Sequence, residues 1–174
     1  MIFSTATVPV NPSGEGKLTR EQVWAGLVLK ARDARLFLPP GAWTKCEVVA
    51  EGTDFIVREA VIMNDEFTEV ITFAPKQKVS FDQFKSPREG VIVNEVVEDG
   101  DGELQLRFYC YLGLVGVTPG SEQERQAQAL MDSEDRGYKA ALLSTWRARG
   151  RSPWRGSFDC PPDALRSAEV VLTI

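Results

Sequence analysis

Six short segments between residues 43 and 112 most constrain what this chain can fold into. Each is rich in apolar, β-branched and aromatic residues, and together they cover about 43–50, 55–63, 67–74, 79–83, 90–98 and 104–112. Turn-forming residues at 52–53, 64–65 and 99–102 separate several of them and fit tight hairpins. Short strands at near-regular spacing, joined by tight turns, indicate an antiparallel meander.

A strand and a helix precede this region. Residues 2–10 are β-prone and open the domain. Thr19 can cap a helix, and Gln22, three residues later, completes a capping box. Apolar residues then recur at helical spacing to about residue 34, so we expect a first helix there.

A long helix follows the strands. Ser121 with Glu124 predicts a second capping box, and an apolar stripe at helical spacing continues to about residue 151. We therefore expect one domain over residues 1–151. Residues 152–174 then form a C-terminal extension that is either disordered or docked on the domain.

This order of elements favours an α+β fold. One face of the sheet must be buried, and only the helices are available to cover it. The long terminal helix is the natural cover. A strongly bent sheet wrapped around one helix rarely packs solid, so we expect a concave apolar pocket between them.

Composition excludes several classes of function. The 174 residues carry a net charge of −5, which gives no electrostatic footprint for nucleic acid. No apolar run approaches the roughly 20 residues that span a bilayer, and the N-terminus lacks a secretion signal, so we expect a cytoplasmic chain with no membrane span.

The absence of histidine removes Ser-His-Asp triads and histidine metal sites. The three cysteines form no CxxC pair, and we expect neither a metal nor a cofactor.

A set of stretches, collinear over about residues 1–151, resembles the AtaL-like family. That family belongs to the START-related superfamily of polyketide cyclases and lipid carriers. The stretches are LTREQVWAGLVLKARDARLFLP at 18–39, RE at 58–59, EVITFAP at 69–75, VSFDQ at 79–83, GVIVN at 90–94, DGELQL at 101–106 and GSEQE at 120–124. The resemblance implies a helix-grip fold: a seven-stranded curved antiparallel sheet around a long C-terminal helix, with an internal cavity. It also implies a place in fungal secondary metabolism.

Three polar residues on predicted strands are the catalytic candidates. Glu69 and Asn94 lie among apolar neighbours on inward faces, where an unpartnered polar group is costly. Glu69 could act as a cavity acid or base, with a pKa raised by burial, and Asn94 could orient a carbonyl. Arg58 would add charge stabilisation. The structural alternatives are an Arg58–Glu69 ion pair across adjacent strands, and an Asn94 amide that is satisfied within the core.

Other side chains are candidates for binding a substrate. Phe73 lies on the predicted inward face of its strand. Arg107, Tyr109 and Tyr111 share one face of the last strand and either face solvent or bind an oxygen-rich substrate. The family usually has an acidic position where this chain has Tyr111. Tyr138 on the long helix either closes the site or packs on the sheet.

These features favour a small-molecule-binding protein of natural-product metabolism. The first hypothesis is a cofactor-independent cyclase or isomerase that folds a hydrophobic intermediate into a reactive conformer. The alternative is a non-catalytic carrier, which needs only the cavity. A third hypothesis is an interaction module that uses the C-terminal extension and the tyrosine-rich strand. The sequence leaves a homodimer open.

Overall fold

The computed structural model describes residues 1–14, 16–37, 43–62 and 64–133. Within these ranges the chain forms seven strands, two α-helices and a short 3-10 helix. The strands are β1 (Ile2–Pro9), β2 (Trp43–Glu51), β3 (Phe55–Ile62), β4 (Asp65–Ala74), β5 (Lys78–Phe84), β6 (Arg88–Glu98) and β7 (Leu104–Leu114). The helices are α1 (Arg20–Arg32), the 3-10 helix (Ala34–Phe37) and α2 (Glu122–Met131).

All seven strands pair antiparallel in one curved sheet, with the order β1-β7-β6-β5-β4-β3-β2. Strands β2 to β7 follow one another as neighbours, which confirms the predicted meander. The first strand joins it at the far side by pairing with the last, so that Ser4 lies opposite Cys110. The predicted α+β class and the seven-stranded sheet are therefore confirmed.

One face of the sheet is concave and buried. Alternation on β7 places Leu106, Phe108, Cys110 and Leu112 on this face. Helix α1 lies across it, against β5 and β6, and buries its apolar stripe there. The main apolar cluster joins the inward side chains of the strands to α1 and α2 and includes Ile2, Val23, Leu27, Ala31, Ile56, Ile71, Val79, Phe81, Ala127 and Met131.

The two predicted helix starts have different outcomes. The Thr19 hydroxyl accepts a hydrogen bond from the Gln22 amide, and the Gln22 side chain accepts one from the Thr19 amide, so the first capping box is complete. At α2, the Ser121 hydroxyl caps the Glu124 amide. The Glu124 carboxylate instead accepts from the Gly120 amide and the N-terminal ammonium, so only half of the second box forms.

Helix α2 packs beside β1. Ala127 and Met131 are buried, and the Ser4 hydroxyl donates to the Met131 carbonyl at 3.2 Å. The Gln128 side chain both accepts from and donates to the Phe3 backbone. The predicted continuation of this helix to residue 151 and the extension 152–174 lie outside the described residues.

Candidate functional site

A row of four polar side chains crosses the concave face from β3 to β6. Arg58 lies opposite Glu69, and Glu69 lies opposite Gln83, in the register of neighbouring strands. Asn94 is on the next strand, opposite Val79. All four are buried: Glu69 is 3% exposed, Gln83 5% and Asn94 1%. Buried polar groups need partners, so their contacts define what the site can do.

The centre of the row is an ion pair. Both the Nε and the Nη2 of Arg58 donate to Oε2 of Glu69, at 2.8 and 2.5 Å. The Gln83 amide donates through Nε2 to Oε1 of the same carboxylate, at 3.1 Å. Both Glu69 oxygens are therefore held by donors from the strands on either side.

Arg58 also joins the sheet to α1. Its Nη1 donates to the carbonyls of Lys30 and Ala31, at 3.1 and 2.8 Å, in the last turn of the helix. These carbonyls have no partner further along the helix, and a cation at a helix C-terminus is favoured by the helix dipole. The guanidinium carbon also lies 5.6 Å from the centroid of the Phe81 ring.

Lys30 brings an amine onto the same face. Its Nζ donates to Oδ1 of Asn94 at 3.1 Å and lies 4.5 Å from the centroid of the Phe108 ring. Lys30 is half-buried as a residue, and its ammonium is the enclosed end. Burial, together with the charge of Arg58, lowers the pKa of this ammonium from 10.5 to about 7, while Glu69 acts in the opposite direction. An amine with this pKa can exchange a proton near neutral pH.

The structure brings together the three predicted catalytic residues on one face, but not as three independent groups. Arg58 and Glu69 form the cross-strand ion pair that was one of the two interpretations. Asn94 is bonded to Lys30 through Oδ1, while its Nδ2 donates to no acceptor among the described residues.

The tyrosine-rich face of β7 is separate from this site. Arg107 is exposed and paired with Glu95, and Tyr111 is 46% exposed and stacks on Phe3. Tyr109 lies on the same outer face, edge-on to Tyr111. Of the two placements that the sequence leaves open for Arg107, Tyr109 and Tyr111, the structure has the outer one, because the more apolar half of β7 takes the concave side.

The two other predicted binding residues have different outcomes. Phe73 lies partly buried on the concave face, with its ring 6.3 Å from that of Trp24 in an edge-to-face contact. It therefore packs the sheet against α1. Tyr138 lies outside the described residues.

Three residues of the concave face were not predicted as site residues from the sequence: Lys30, Gln83 and Arg88. Gln83 carries the signal that identified Glu69, since it continues an apolar alternation with Val79 and Phe81. Lys30 follows Leu27 at helical spacing, so its position beside the apolar stripe could have identified it. Arg88 gave no such signal, because it stands at the first position of its strand.

The described residues do not outline the enclosed cavity that the sequence predicts, so the cavity stays a prediction. A depression of about 440 Å³ lies mainly on the other face of β4 and β5. It is lined by Asp54, Phe55, Val70, Thr72, Phe73, Ala74, Lys78 and Ser80.

No group of three acidic or cysteine side chains that could hold a metal occurs in the described ranges. Cys46 and Cys110 are both buried. Within the part of the chain that the structure describes, no helix has the length and apolar character needed to cross a membrane.

The strand order, with α1 across the concave face and α2 beside β1, is the arrangement of a helix-grip fold. The chain belongs to the AtaL family, described as acetylaranotin biosynthesis cluster protein L, whose family model matches residues 4–148. The resemblance seen in the sequence is therefore confirmed. No curated protein sequence matches the chain.

Solved structures show the same fold at low sequence identity. The Zhui aromatase/cyclase from Streptomyces sp. R1128 is 18% identical, with a TM-score of 0.59, and the match covers 89% of this chain and 95% of that one. The protein TTHA0849 from Thermus thermophilus is 14% identical, with a TM-score of 0.58, over 84% of this chain and 94% of that one. These likenesses concern the fold alone.

Proposed function

We propose that this protein is a cofactor-independent cyclase or isomerase of natural-product biosynthesis, and that it shapes a hydrophobic intermediate on its concave face. Membership of a family described from a biosynthesis cluster supports this class, as does a fold shared with an aromatase/cyclase. The observation that carries the proposal is the Lys30–Asn94 pair, which places an amine with a pKa of about 7 on the concave face.

Lys30 is the proposed acid/base. Aldol ring closure joins the carbon next to one carbonyl to the carbon of a second carbonyl, and it requires removal of a proton from the first of these carbons. A neutral amine can take that proton, and the resulting ammonium can return it to the oxygen of the new alcohol. The Nδ2 of Asn94 would donate to the carbonyl oxygen where negative charge develops. An amine that titrates near neutral pH suits both halves of this exchange.

Arg58, Glu69 and Gln83 are positioning residues in this scheme. Glu69 accepts three hydrogen bonds and holds Arg58 against the last turn of α1, which carries Lys30. Arg58 lowers the pKa of Lys30 and Glu69 raises it, so the pair sets the charge at the amine. This assigns Glu69 a different role from the acid/base role that its position in the sequence suggests.

The substrate would lie between the concave face and the C-terminal helix, in the cavity that the sequence predicts. Folding a flexible chain there into one conformer is itself worth several kcal/mol of barrier. Tyr138 would close the cavity from the helix side, and Phe73 would fix the packing at its edge. Because the ring closure needs only proton transfers, it requires no cofactor.

The test is aldol closure of a linear 1,5-diketone by the purified full chain. The product is the cyclic hydroxyketone, which is measured as the enone that it gives when it loses water. We expect acceleration with wild type and its loss in Lys30→Met, with substrate affinity largely kept. The rate should rise through a pH near 7 as Lys30 becomes neutral. Lys17→Met is the matched control, since Lys17 is an exposed lysine with only a 3.8 Å ion pair. Equal rates with and without wild-type protein would refute catalysis of this closure.

A non-catalytic carrier is the second candidate. It is favoured by the hydrogen bonding of Glu69, because both of its carboxylate oxygens are already occupied by Arg58 and Gln83. A carrier would bind the diketone or its enone without accelerating closure. Lys30→Met would then keep the affinity for the diketone, and no catalytic rate would be lost.

A further inference from the structure

The concave face holds a third cationic side chain, which the proposed reaction does not use. Arg88 opens β6 and is only 9% exposed. Among the described residues, no carboxylate lies within ion-pair distance of its guanidinium, and its buried Nε has no hydrogen-bond partner. A buried charge without a partner is costly, so this arginine is unusual.

The groups around Arg88 are neutral. The Phe67 ring lies 5.8 Å from the guanidinium carbon. The buried Ser86 hydroxyl accepts the backbone N–H of Arg88 at 3.1 Å. Glu69 is a carboxylate on the same face, but Arg58 and Gln83 already occupy both of its oxygens. The fold, over the residues described, therefore buries Arg88 without supplying the anion that a guanidinium binds.

Gln83 presents an unpaired acceptor on the neighbouring strand. Its Nε2 donates to Glu69, and its buried Oε1 has no partner among the described residues. Turning the amide over would set Oε1 against the carboxylate, acceptor against acceptor, so the orientation is fixed. Gln83 lies opposite Gly90 across β5 and β6. Arg88 is two residues before Gly90 and is therefore a diagonal neighbour of Gln83 on the adjacent strand. Such neighbours are about 7–8 Å apart, which is within reach of long side chains.

We propose that Arg88 and Gln83 form a ligand subsite for a carboxylate and a neighbouring hydroxyl group. The planar guanidinium can bind both oxygens of a carboxylate, and the Gln83 carbonyl needs a donor, which the hydroxyl supplies. The ligand thereby replaces the two partners that the described part of the fold leaves out. This inference rests on the proposed function in that it names the ligand class: a hydroxy-carboxylic acid with an apolar body.

The experiment uses meta-hydroxybenzoate and its neutral methyl ester as probes. Each is titrated into the full chain with ¹⁵N-labelled arginine, and the Arg88 Nε–H resonance is followed. We expect a saturable shift with the acid and at least about tenfold weaker binding in Arg88→Met. The ester should bind wild type and Arg88→Met equally. In Gln83→Leu the acid should lose affinity, whereas plain benzoate should not.

Two further variants separate charge from packing. Arg107→Met removes an exposed, ion-paired arginine on the outer face and should leave affinity for the acid within about twofold. Arg88→Lys keeps the charge without the planar fork and should bind the acid with intermediate affinity. Arg88→Met should melt no lower than wild type, because it removes an unpaired buried charge.

The inference is overturned if Arg88→Met binds the acid as tightly as wild type, or loses acid and ester equally. It is also overturned if neither the acid nor benzoate moves the Arg88 resonance in wild type. Binding of the acid at Arg88 without any acceleration of diketone closure would refute the cyclase and leave the subsite standing. Acceleration of diketone closure without binding of the acid at Arg88 would refute the subsite and leave the cyclase standing.

Discussion

The ammonium of Lys30 lies 3.1 Å from Oδ1 of Asn94 and above the ring of Phe108. The lysine comes from α1 and its two partners come from β6 and β7, so this contact joins helix to sheet. Burial, with the charge of Arg58, lowers the pKa of the amine to about 7. The stability of the fold and the proposed chemistry are therefore linked through one proton.

The first prediction concerns stability and pH. In the unfolded chain Lys30 has its ordinary pKa of 10.5, so between pH 7 and 10.5 the unfolded state binds more protons than the folded state. The free energy of unfolding should therefore rise with pH in this window, by about 2 kcal/mol between about pH 7 and 9 from this group. Below about pH 7 both states carry the proton, and this contribution becomes constant.

Urea unfolding of wild type and Lys30→Met at both pH values isolates the contribution, because methionine does not titrate. Lys17→Met should keep the pH dependence of wild type, since Lys17 is exposed. Parallel pH dependence in wild type and Lys30→Met would contradict the lowered pKa.

The second prediction concerns the Arg58–Glu69 pair. Arg58→Met leaves the Glu69 carboxylate buried without its cation, and should lower the free energy of unfolding by about 3–5 kcal/mol. Glu69→Leu should cost a similar amount by stranding the guanidinium. The double variant should be much less destabilised than the sum of the two, because an apolar pair leaves no buried charge.

The Arg107–Glu95 pair is the matched control. It also joins adjacent strands, with Arg107 Nε and Nη2 donating to one Glu95 oxygen at 3.1 and 2.7 Å, but it lies on the outer face. Arg107→Met should cost less than about 1 kcal/mol. Similar losses in the two pairs would mean that burial does not set the strength of the inner one.

Much of the fold could be predicted because each strand carries its own signal. Strand β7 begins where predicted and runs two residues past the predicted 104–112, because alternation and the flanking turns identify strands better than their ends. Glu69 and Asn94 could be found in the same way, as polar residues at inward positions. The Arg58–Glu69 pair followed once the two strands were placed next to each other.

The rest of the site depends on where α1 crosses the sheet. Nothing local to the sequence says that Lys30 lies over β6 and β7 rather than in solvent, since a lysine beside an apolar stripe can extend either way. The sequence also does not determine which face of β7 turns toward the core. Tyr109 and Tyr111 could have turned inward, and the smaller, wholly apolar set around Cys110 does so instead.

The third prediction tests the cap of α1. Thr19→Ala removes the hydroxyl that accepts from the Gln22 amide, and should cost about 1 kcal/mol in the free energy of unfolding. Thr19→Ser keeps the hydroxyl and should stay close to wild type. Because α1 carries Lys30 and the carbonyls bound by Arg58, the loss should appear as a lower Tm of the whole domain rather than fraying of one helix. A Thr19→Ser variant as unstable as Thr19→Ala would show that the hydroxyl is not what matters.

The last prediction uses three glycines that differ in one respect at a time. Gly100 has open space around it, and Gly102 also has open space but a φ of +78°. Gly90 has a φ of +137°, and a Cβ there would lie 2.1 Å from the carbonyl oxygen of Tyr111 on the neighbouring strand. Alanine should therefore change stability by less than about 0.5 kcal/mol at Gly100 and cost about 1 kcal/mol at Gly102.

Gly90→Ala should cost about 3 kcal/mol or more, because backbone strain adds to a clash with a main chain that cannot move without breaking β6–β7 pairing. Urea unfolding of the three variants gives the order directly. The contrary result is a Gly90→Ala variant that lowers the free energy of unfolding no more than Gly102→Ala does. That result would mean that the backbones of β6 and β7 are far enough apart near Tyr111 to accommodate a Cβ at position 90. Since Gly90 also lies opposite Gln83, such a shift would move the proposed subsite with it.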